Sequence, residues 1–425
     1  MPTFPKYESY KNSGVAWLED IPEHWEVLPG RAYLKPKKVK NTGNKVDTVL
    51  SLSYGKIVIK PEEKLHGLVP ESFETYQIVE PGDIIVRATD LQNDHTSLRI
   101  GLVGDRGIIT SAYLCLHPTE MMNSRFAYYL LHSYDLLKVY YGMGSGLRQN
   151  LDYTDFKYLP LTVPSLEEQK RIVEFLDRTT TEIDRAISQK QRLIELLQEQ
   201  KAILINQAVT KGLTPNVPMR DSGIEWLGEI PEHWNFRRAK FLFRQSRLSV
   251  RKTDDVVTCY RDGEVTLRTN RRADGYTVAI LEQGYQGVRS GQLVINSMDA
   301  FAGAIGVSDS DGKCSPEYVV CDPVNPDSVE PKYYALLLRE MALKGYIEVI
   351  CPAVRQRGLR IRYNGFAQLL LPLPSKEEQE AITTQVDAIV SGTAETLDSL
   401  DREIDLLKEM KSIVISQAVT GKIKV

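Results

Sequence analysis

Side chains able to read the edges of bases gather in a few polar stretches of this 425-residue chain. Arg87, Thr89, Gln92 and Asn93 follow an apolar run that begins at Gly82-Asp83, and Asn296, Ser297 and Asp299 follow the matching run that begins at Gly291. Further on, Arg148, Gln149 and Asn150 in one half answer to Arg355, Gln356, Arg357, Arg360 and Arg362 in the other. The second half adds Arg261, Arg268, Arg271 and Arg272. Arg and Lys bridge guanine O6 and N7, while Asn and Gln amides suit adenine, so these residue types point to base-edge contact. Any one of them reads equally as a solvated surface charge. Their recurrence at matching points of two halves makes them candidates.

Other chemistries lack their residues. A phosphate-cradling G-x-x-x-x-G-K-[ST], an H-E-x-x-H, a G-x-S-x-G and a strand-to-helix G-x-G-x-x-G are all missing. Gly142-Met143-Gly144-Ser145-Gly146 follows a helical pattern and reads as a flexible turn. No Asn/Asp-Pro-Pro-aromatic tetrapeptide of the amino-methyltransferase kind occurs. The expectation is a chain with no catalytic residues of its own. Cys115, Cys259, Cys314, Cys321 and Cys351 form no C-x-x-C pair and read as reduced structural thiols. The histidines, His24, His66, His95, His117, His132 and His233, never fall at H-x-x-x-H spacing, so no metal site is expected. His24 and His233 read as packing residues beside tryptophans.

The elements that would position these side chains are written twice. Ser13-Gly14-x-x-Trp17-Leu18-x-x-Ile21-Pro22-Glu23-His24-Trp25 returns as Ser222-Gly223-x-x-Trp226-Leu227-x-x-Ile230-Pro231-Glu232-His233-Trp234. Pro164-Ser165-x-Glu167-Glu168-Gln169 returns as Pro374-Ser375-x-Glu377-Glu378-Gln379, and Gln207-Ala208-Val209-Thr210 as Gln417-Ala418-Val419-Thr420. So long a period marks a duplicated domain rather than a solenoid unit. The intervening stretches, about Glu26 to Lys157 and Asn235 to Ala367, keep their size but match only at scattered points. A kept frame with changed contents suggests two different targets.

The first variable stretch shows strand-like runs at Thr48–Leu52, Asp83–Val86 and Gly107–Leu114 before a helical pattern from Ser124 to Tyr141. The second repeats the order with Val256–Tyr260, Gly291–Ile295 and Tyr318–Val320 before a helix near Lys332 to Lys344. Both variable stretches close on Gly-Leu-Arg. Pro164-Ser165 and Pro374-Ser375 are helix starts, with Ser as N-cap and Glu167/Glu168 or Glu377/Glu378 facing the positive helix end.

Downstream, Ile172, Leu176, Thr179, Ile183, Ala186, Leu193, Leu197 and Leu204 recur at spacings of three and four, a coiled-coil stripe. The second helix carries Ile382, Val386, Ile389, Thr393, Leu397, Leu400, Ile404, Leu407 and Val414, with a stutter at Thr393. A helix of this length spans about 70 Å and cannot bury its stripe on one small domain, so an antiparallel pairing of the two copies is expected. Two helices packed on separate bodies remain the alternative.

Net charge is −3, with 42% hydrophobic and 26% charged residues, which is ordinary for a soluble globular chain. The deficit lies in the long helices, with seven basic against eight acidic residues in the first and four against ten in the second. Asn235 to Phe366 holds 20 basic and 15 acidic residues whereas Glu26 to Asp155 balances at 15 and 15, so the second stretch is the more suited to a polyanion. The opening Met1-Pro2-Thr3-Phe4-Pro5-Lys6 lacks an apolar signal core and no run is long enough to span a bilayer, so a cytoplasmic location and no membrane are expected.

These residues resemble a known family, the specificity subunit of type I restriction-modification systems. The resemblance rests on the duplicated Ile-Pro-Glu-His-Trp segments and on Leu159-Pro160-Leu161-x-x-Pro164-Ser165-x-Glu167-Glu168-Gln169 with Leu371-Pro372-Leu373-Pro374-Ser375-x-Glu377-Glu378-Gln379. Gln-Ala-Val-Thr at both helix ends completes it. It implies an α+β fold with two pseudo-twofold-related target recognition domains, each reading half of a split double-stranded DNA sequence, separated by an antiparallel helical pair. The expected layout is residues 1–160 and 213–370 for the domains and 161–212 and 371–425 for the helices. It further implies two methyltransferase subunits that bind S-adenosylmethionine and two ATP- and Mg2+-dependent motor-nuclease subunits, so this chain would bind no cofactor and catalysis would be theirs. The helical seam and acidic outer faces would be the partner surface. A coiled-coil scaffold with protein-binding heads, or an enzyme in its own right, are the competing readings.

Overall fold

The computed structural model describes residues 4–61, 72–94, 98–143, 150–271, 284–347 and 360–425. The chain divides into two compact units, Met1–Gln191 with Leu400–Val425, and Arg192–Ser399. Each unit is α+β and carries the same parts. In the first, an antiparallel sheet runs in the order Ile100–Leu102, Ile84–Val86, Leu114–Pro118, Leu34–Pro36. The second runs Ile305–Val307, Leu293–Asn296, Tyr318–Pro323, Phe243–Gln245. The hairpin Leu50–Ser53/Lys56–Ile59 has its counterpart in Val257–Cys259/Val265–Leu267, and the helix Ser124–Leu136 in Pro331–Leu343.

Two expected elements are divided. The run Gly107–Leu114 is two strands, Gly107–Ile109 and the start of Leu114–Pro118. The Gln77 amide draws in the carbonyls of Thr110 (3.1 Å) and Tyr113 (2.7 Å) and turns the chain between them. The helix expected to reach Tyr141 stops at Leu136, because Lys138 takes a left-handed φ of 61° and a short 3-10 turn, Val139–Gly142, follows.

The three repeated landmarks meet inside each unit. Gly14 and Gly223 turn at φ 73° and 69°, each with its N–H bonded at 2.9 Å to the side chain two residues back, Asn12 and Asp221. This turn brings in the buried Ile21 and Trp25, or Ile230 and Trp234. The strand Glu26–Pro29 then pairs with Pro160–Val163, as Asn235–Arg238 pairs with Leu370–Leu373, and the second strand of each pair leads into a long helix. Those helices are Leu166–Lys211 and Lys376–Val419. Their starts are capped as the sequence suggests, with Ser165 Oγ and Ser375 Oγ accepting from the backbone N–H of Glu168 and Glu378.

The Gln-Ala-Val-Thr ends are exchanged between units. Ala418 and Val419 pack with Trp25 in the first core, whereas Ala208 and Val209 pack with Trp234 in the second. Gly421 and Gly212, at φ 73° and 75°, close these ends; a Cβ on either would lie 3.3 Å from the tryptophan ring. In the first unit the helical segments run antiparallel, since Lys411 pairs with Asp184 at 2.7 Å and Lys190 pairs with Glu403.

Along the expected seam, Ile172, Leu176, Ile183, Ile382, Val386, Leu400 and Val414 are buried. Leu197, Ile389 and Leu407 are half-buried, and Leu193 and Leu204 are exposed. Among the described residues, no helix is long and apolar enough to cross a membrane.

Candidate nucleic-acid interface

Each frame is tied by the same side chains. Gln169 is fully buried, donates to the carbonyls of Pro164 (3.0 Å) and Met121 (3.2 Å), and accepts from Asn123 N–H (2.8 Å). Gln379 does likewise with Pro374 (3.0 Å), Ser328 (3.0 Å) and Glu330 N–H (2.8 Å). Each amide thereby fixes the start of a long helix to the start of the shorter helix in its unit.

His233 packs its ring edge-on near Trp234 as expected, and His24 lies against Tyr7, but both histidines also do polar work. Both imidazoles are more than half exposed and donate through Nε2 at 3.0 Å to Glu168 and Glu378. Burial alone would raise the Glu168 carboxyl, but hydrogen bonds from Tyr7 (2.7 Å) and His24 outweigh it and hold the group below the usual carboxylate range. Glu378 is lowered in the same way, with burial outweighed by His233, the Ser375 backbone and Trp234.

The cysteines Cys115, Cys259, Cys314 and Cys321 are buried and free. Burial pushes the first three thiols up to about 12, so they pack as apolar groups. Cys351, His66 and His95 lie outside the described residues. Among the described residues, no cluster of His, Cys, Asp or Glu could hold a metal ion.

On this frame the first unit gathers Arg87, Thr89, Gln92, Asn93 and Asn150 at one place. Leu151 N–H bonds to Ala88 O (2.7 Å), and the Asn150 carboxamide accepts from Asp90 N–H (3.0 Å). Asn93 donates to Asp90 (2.8 Å), Arg87 pairs with Asp94 (3.1 Å), and Gln92, Asn93 and Asn150 are exposed. Arg148 and Gln149 lie outside the described residues.

In the second unit Asn296 and Ser297 are buried. The Asn296 amide donates to Cys259 O (3.4 Å), and the Ser297 hydroxyl donates to Ile361 O (2.8 Å). Arg261 pairs with Asp299 (2.8 Å); Arg271 pairs with Asp262 and Glu264 and lies 4.3 Å over the Tyr260 ring; Arg268 donates to Thr258 (3.3 Å). Arg360 pairs with Glu317 (2.7 Å) and Arg362 is exposed. Arg272, Arg355, Gln356 and Arg357 lie outside the described residues.

Sequence reading missed Gln245, Arg247 and Asn364. They line a cavity of about 390 Å3 with Ser297, Glu317 and Arg362. Matched backbone bonds give the equivalent places in the first unit. Lys37 N–H bonds to Cys115 O as Ser246 N–H bonds to Val320 O, and Tyr153 OH reaches Leu34 O as Tyr363 OH reaches Phe243 O. Gln245, Arg247, Ser297, Arg362 and Asn364 thus stand where the first unit has Pro36, Lys38, Ala88, Asp152 and Thr154.

Asp152 caps its short helix by accepting from Thr154 N–H at 2.6 Å, the usual work of an Asp at that position. Arg362 holds the same N-cap position with no side-chain cap bond. A cation that gives up a helix cap and faces a cavity is a departure from local preference of the kind that marks function.

A family profile described as the type I restriction modification DNA specificity domain matches residues 36–196. A protein of Methanocaldococcus jannaschii named as a type I restriction enzyme MjaX specificity subunit is 26% identical over 246 residues. That match covers 54% of this chain and 55% of the relative, so the chain spans about half the length of the curated relative it matches. The HsdS subunit from Thermoanaerobacter tengcongensis is 17% identical, with a TM-score of 0.52 over 95% of this chain and 98% of that one. A chain from a structural study of complex assembly and conformational transition of the type I R-M system is also 17% identical, with a TM-score of 0.64 over 94% and 98%. Residues 36–196 thus match the type I restriction modification DNA specificity domain, and the chain shares the fold of solved HsdS subunits.

Proposed function

We propose that this chain is the DNA-reading subunit of a type I complex, in which each α+β unit reads one half of a bipartite, asymmetric double-stranded target. Phosphate contacts would set the register, and side chains would read base edges. The first unit would read with Arg87, Thr89, Gln92, Asn93 and Asn150. The second would read with the cavity wall of Gln245, Arg247, Arg362 and Asn364, helped by Arg261, Arg268, Arg271 and Arg360.

The observation that carries this reading is the contrast at matched positions. The ties of the frame are kept residue for residue, while the cavity lining changes from Pro36, Lys38 and Asp152 to Gln245, Arg247 and Arg362. A frame whose ties are kept while the residues it presents change suits two readers of different sequence.

Catalysis would lie in partners: two methyltransferase subunits using S-adenosylmethionine, which turn an adenine out of each half-site for N6 methylation, and two motor-nuclease subunits using ATP and Mg2+. We assign no cofactor to this chain and place its work in the cytoplasm, on chromosomal DNA. The partner surface would be the long helices, where Leu193 and Leu204 are exposed.

The test is co-expression with the cognate methyltransferase in a host free of N6-methyladenine, followed by genome-wide mapping of that base. One split motif is expected. A stable complex that adds no methylation anywhere would favour the scaffold reading.

A further inference from the structure

The loop that follows Ile84–Val86 in the first unit is held from inside by one side chain. Arg99 is fully buried, and all five of its guanidinium N–H donors are used. Nη1 donates to the carbonyls of Arg87 (3.1 Å) and Thr89 (2.9 Å), and Nη2 to those of Asp90 (3.3 Å) and Asp94 (2.6 Å). Nε donates to Tyr141 OH (3.3 Å), which itself donates to Asp94 O (3.0 Å), and the guanidinium lies 5.4 Å over the Tyr141 ring. The Arg99 backbone is fixed in turn, its N–H donating to the Asp135 carboxylate at 2.6 Å and its carbonyl accepting from Arg87 N–H at 2.8 Å.

The carbonyls captured in this way belong to the segment that carries Arg87, Thr89, Gln92 and Asn93. Beyond the strand Ile84–Val86 the described backbone of this segment is met by Leu151 N–H at Ala88 O and by the Arg99 guanidinium at four other carbonyls, so Arg99 stands in for a sheet ladder. The matching place in the second unit is Ala304, beside the matched residues Ile100 and Ile305. There the loop is closed by a short 3-10 turn, Ala300–Ala302, and by Gly303 at φ 89°, and the alanine at the place of Arg99 has no side-chain donor.

We propose that Arg99 is a specificity-positioning residue for the first half-site: it touches no DNA, and it sets which side chains of residues 87–94 reach the bases by holding their carbonyls inward. This rests on the proposed reading function. Lysine cannot replace it, because a single ammonium has three donors and no planar fork to span four carbonyls.

The experiment uses the full chain co-expressed with its methyltransferase, comparing wild type, Arg99→Lys and Tyr141→Phe by genome-wide N6-methyladenine mapping and by assembly of the complex. For Arg99→Lys the complex is expected to form and the second half-site to stay fixed. Methylation of the original first half-site should fall roughly tenfold while sequences altered in that half gain it, as a mismatch in a read position would cause. Tyr141→Phe, which keeps the ring and loses the hydroxyl's bonds to Arg99 and Asp94, should give a weaker shift in the same half, and it carries the test if Arg99→Lys does not assemble. An unchanged first half-site in both variants, or an equal drop at every site with no change of motif, overturns the proposal. A wild-type complex that yields no split motif would instead refute the reading function itself.

Discussion

The two units share one packing solution and differ in the residues they mount on it. The shared part is the frame. Trp25 and Trp234 are both fully buried, His24 and His233 both hold the second glutamate of a long-helix start, and Gln169 and Gln379 make the same three bonds. The part that differs lies a few residues away on the same sheet. In the first unit the buried Asp83 carboxylate holds Lys37 (2.5 Å) and His117 (2.7 Å). At the matching places the second unit has Gln292, whose amide donates to Ser246 (2.9 Å) and Asp322 (2.8 Å). Loop support differs too: a buried guanidinium serves the first unit and a tight turn the second. Backbone geometry is therefore held by a few buried polar ties, and the residues between them are free to diverge.

The hardest way to break the comparison is at its buried tryptophans. Trp25→Ala and Trp234→Ala should each cost about 3–5 kcal/mol. Two well-separated thermal transitions, one lowered by each variant, would show equivalent frames; a large loss for only one variant would break the equivalence. Next in size, Arg362→Ala should reduce discrimination in the second half-site by about 1–3 kcal/mol while leaving the first untouched, read as methylation frequency at single-base variants of the motif.

Acidification should distinguish the units. Glu168 and Glu378 both sit below the ordinary carboxylate range. A lowered carboxyl stabilises the fold above its unfolded value, roughly 4.3, and that contribution disappears as pH falls through the lower folded value. The Glu168 side chain is 6% exposed and Glu378 31%, so the acid loss should be steeper in the first unit, and Glu168→Gln should flatten it more than Glu378→Gln. Melting temperature against pH for the two variants measures this. The smallest effect is expected for Lys411→Ala, which removes a half-exposed pair with Asp184 worth about 0.2–1 kcal/mol, with added salt narrowing the gap to wild type.

How much of this was legible in the sequence follows from how local each feature is. The frame was legible because its ties sit inside short motifs copied 209 or 210 residues apart, and the helix starts because Ser, Glu and Gln act within one turn of the cap. The exact work of the histidines was not, since the partner of His24 lies 144 residues away. Arg99 sits in Ser97-Leu98-Arg99-Ile100 and looks like any solvated arginine; only the folded loop shows that its charge is buried. Gln245 and Arg247 were missed for the same reason, because a cavity wall drawn from four separate segments leaves no local pattern. The burial of Asn296 and Ser297 was equally invisible, as both bond to carbonyls of distant segments.

The central claim is that each unit reads its own half-site on a common frame. Exchanging Glu26 to Lys157 for the corresponding segment of a homologue, in the full chain with its methyltransferase, tests it most directly through the mapped N6-methyladenine motif. One half-site should take on the donor's sequence, with the other half and the gap between them unchanged. A change in both halves, or in neither, would contradict the account.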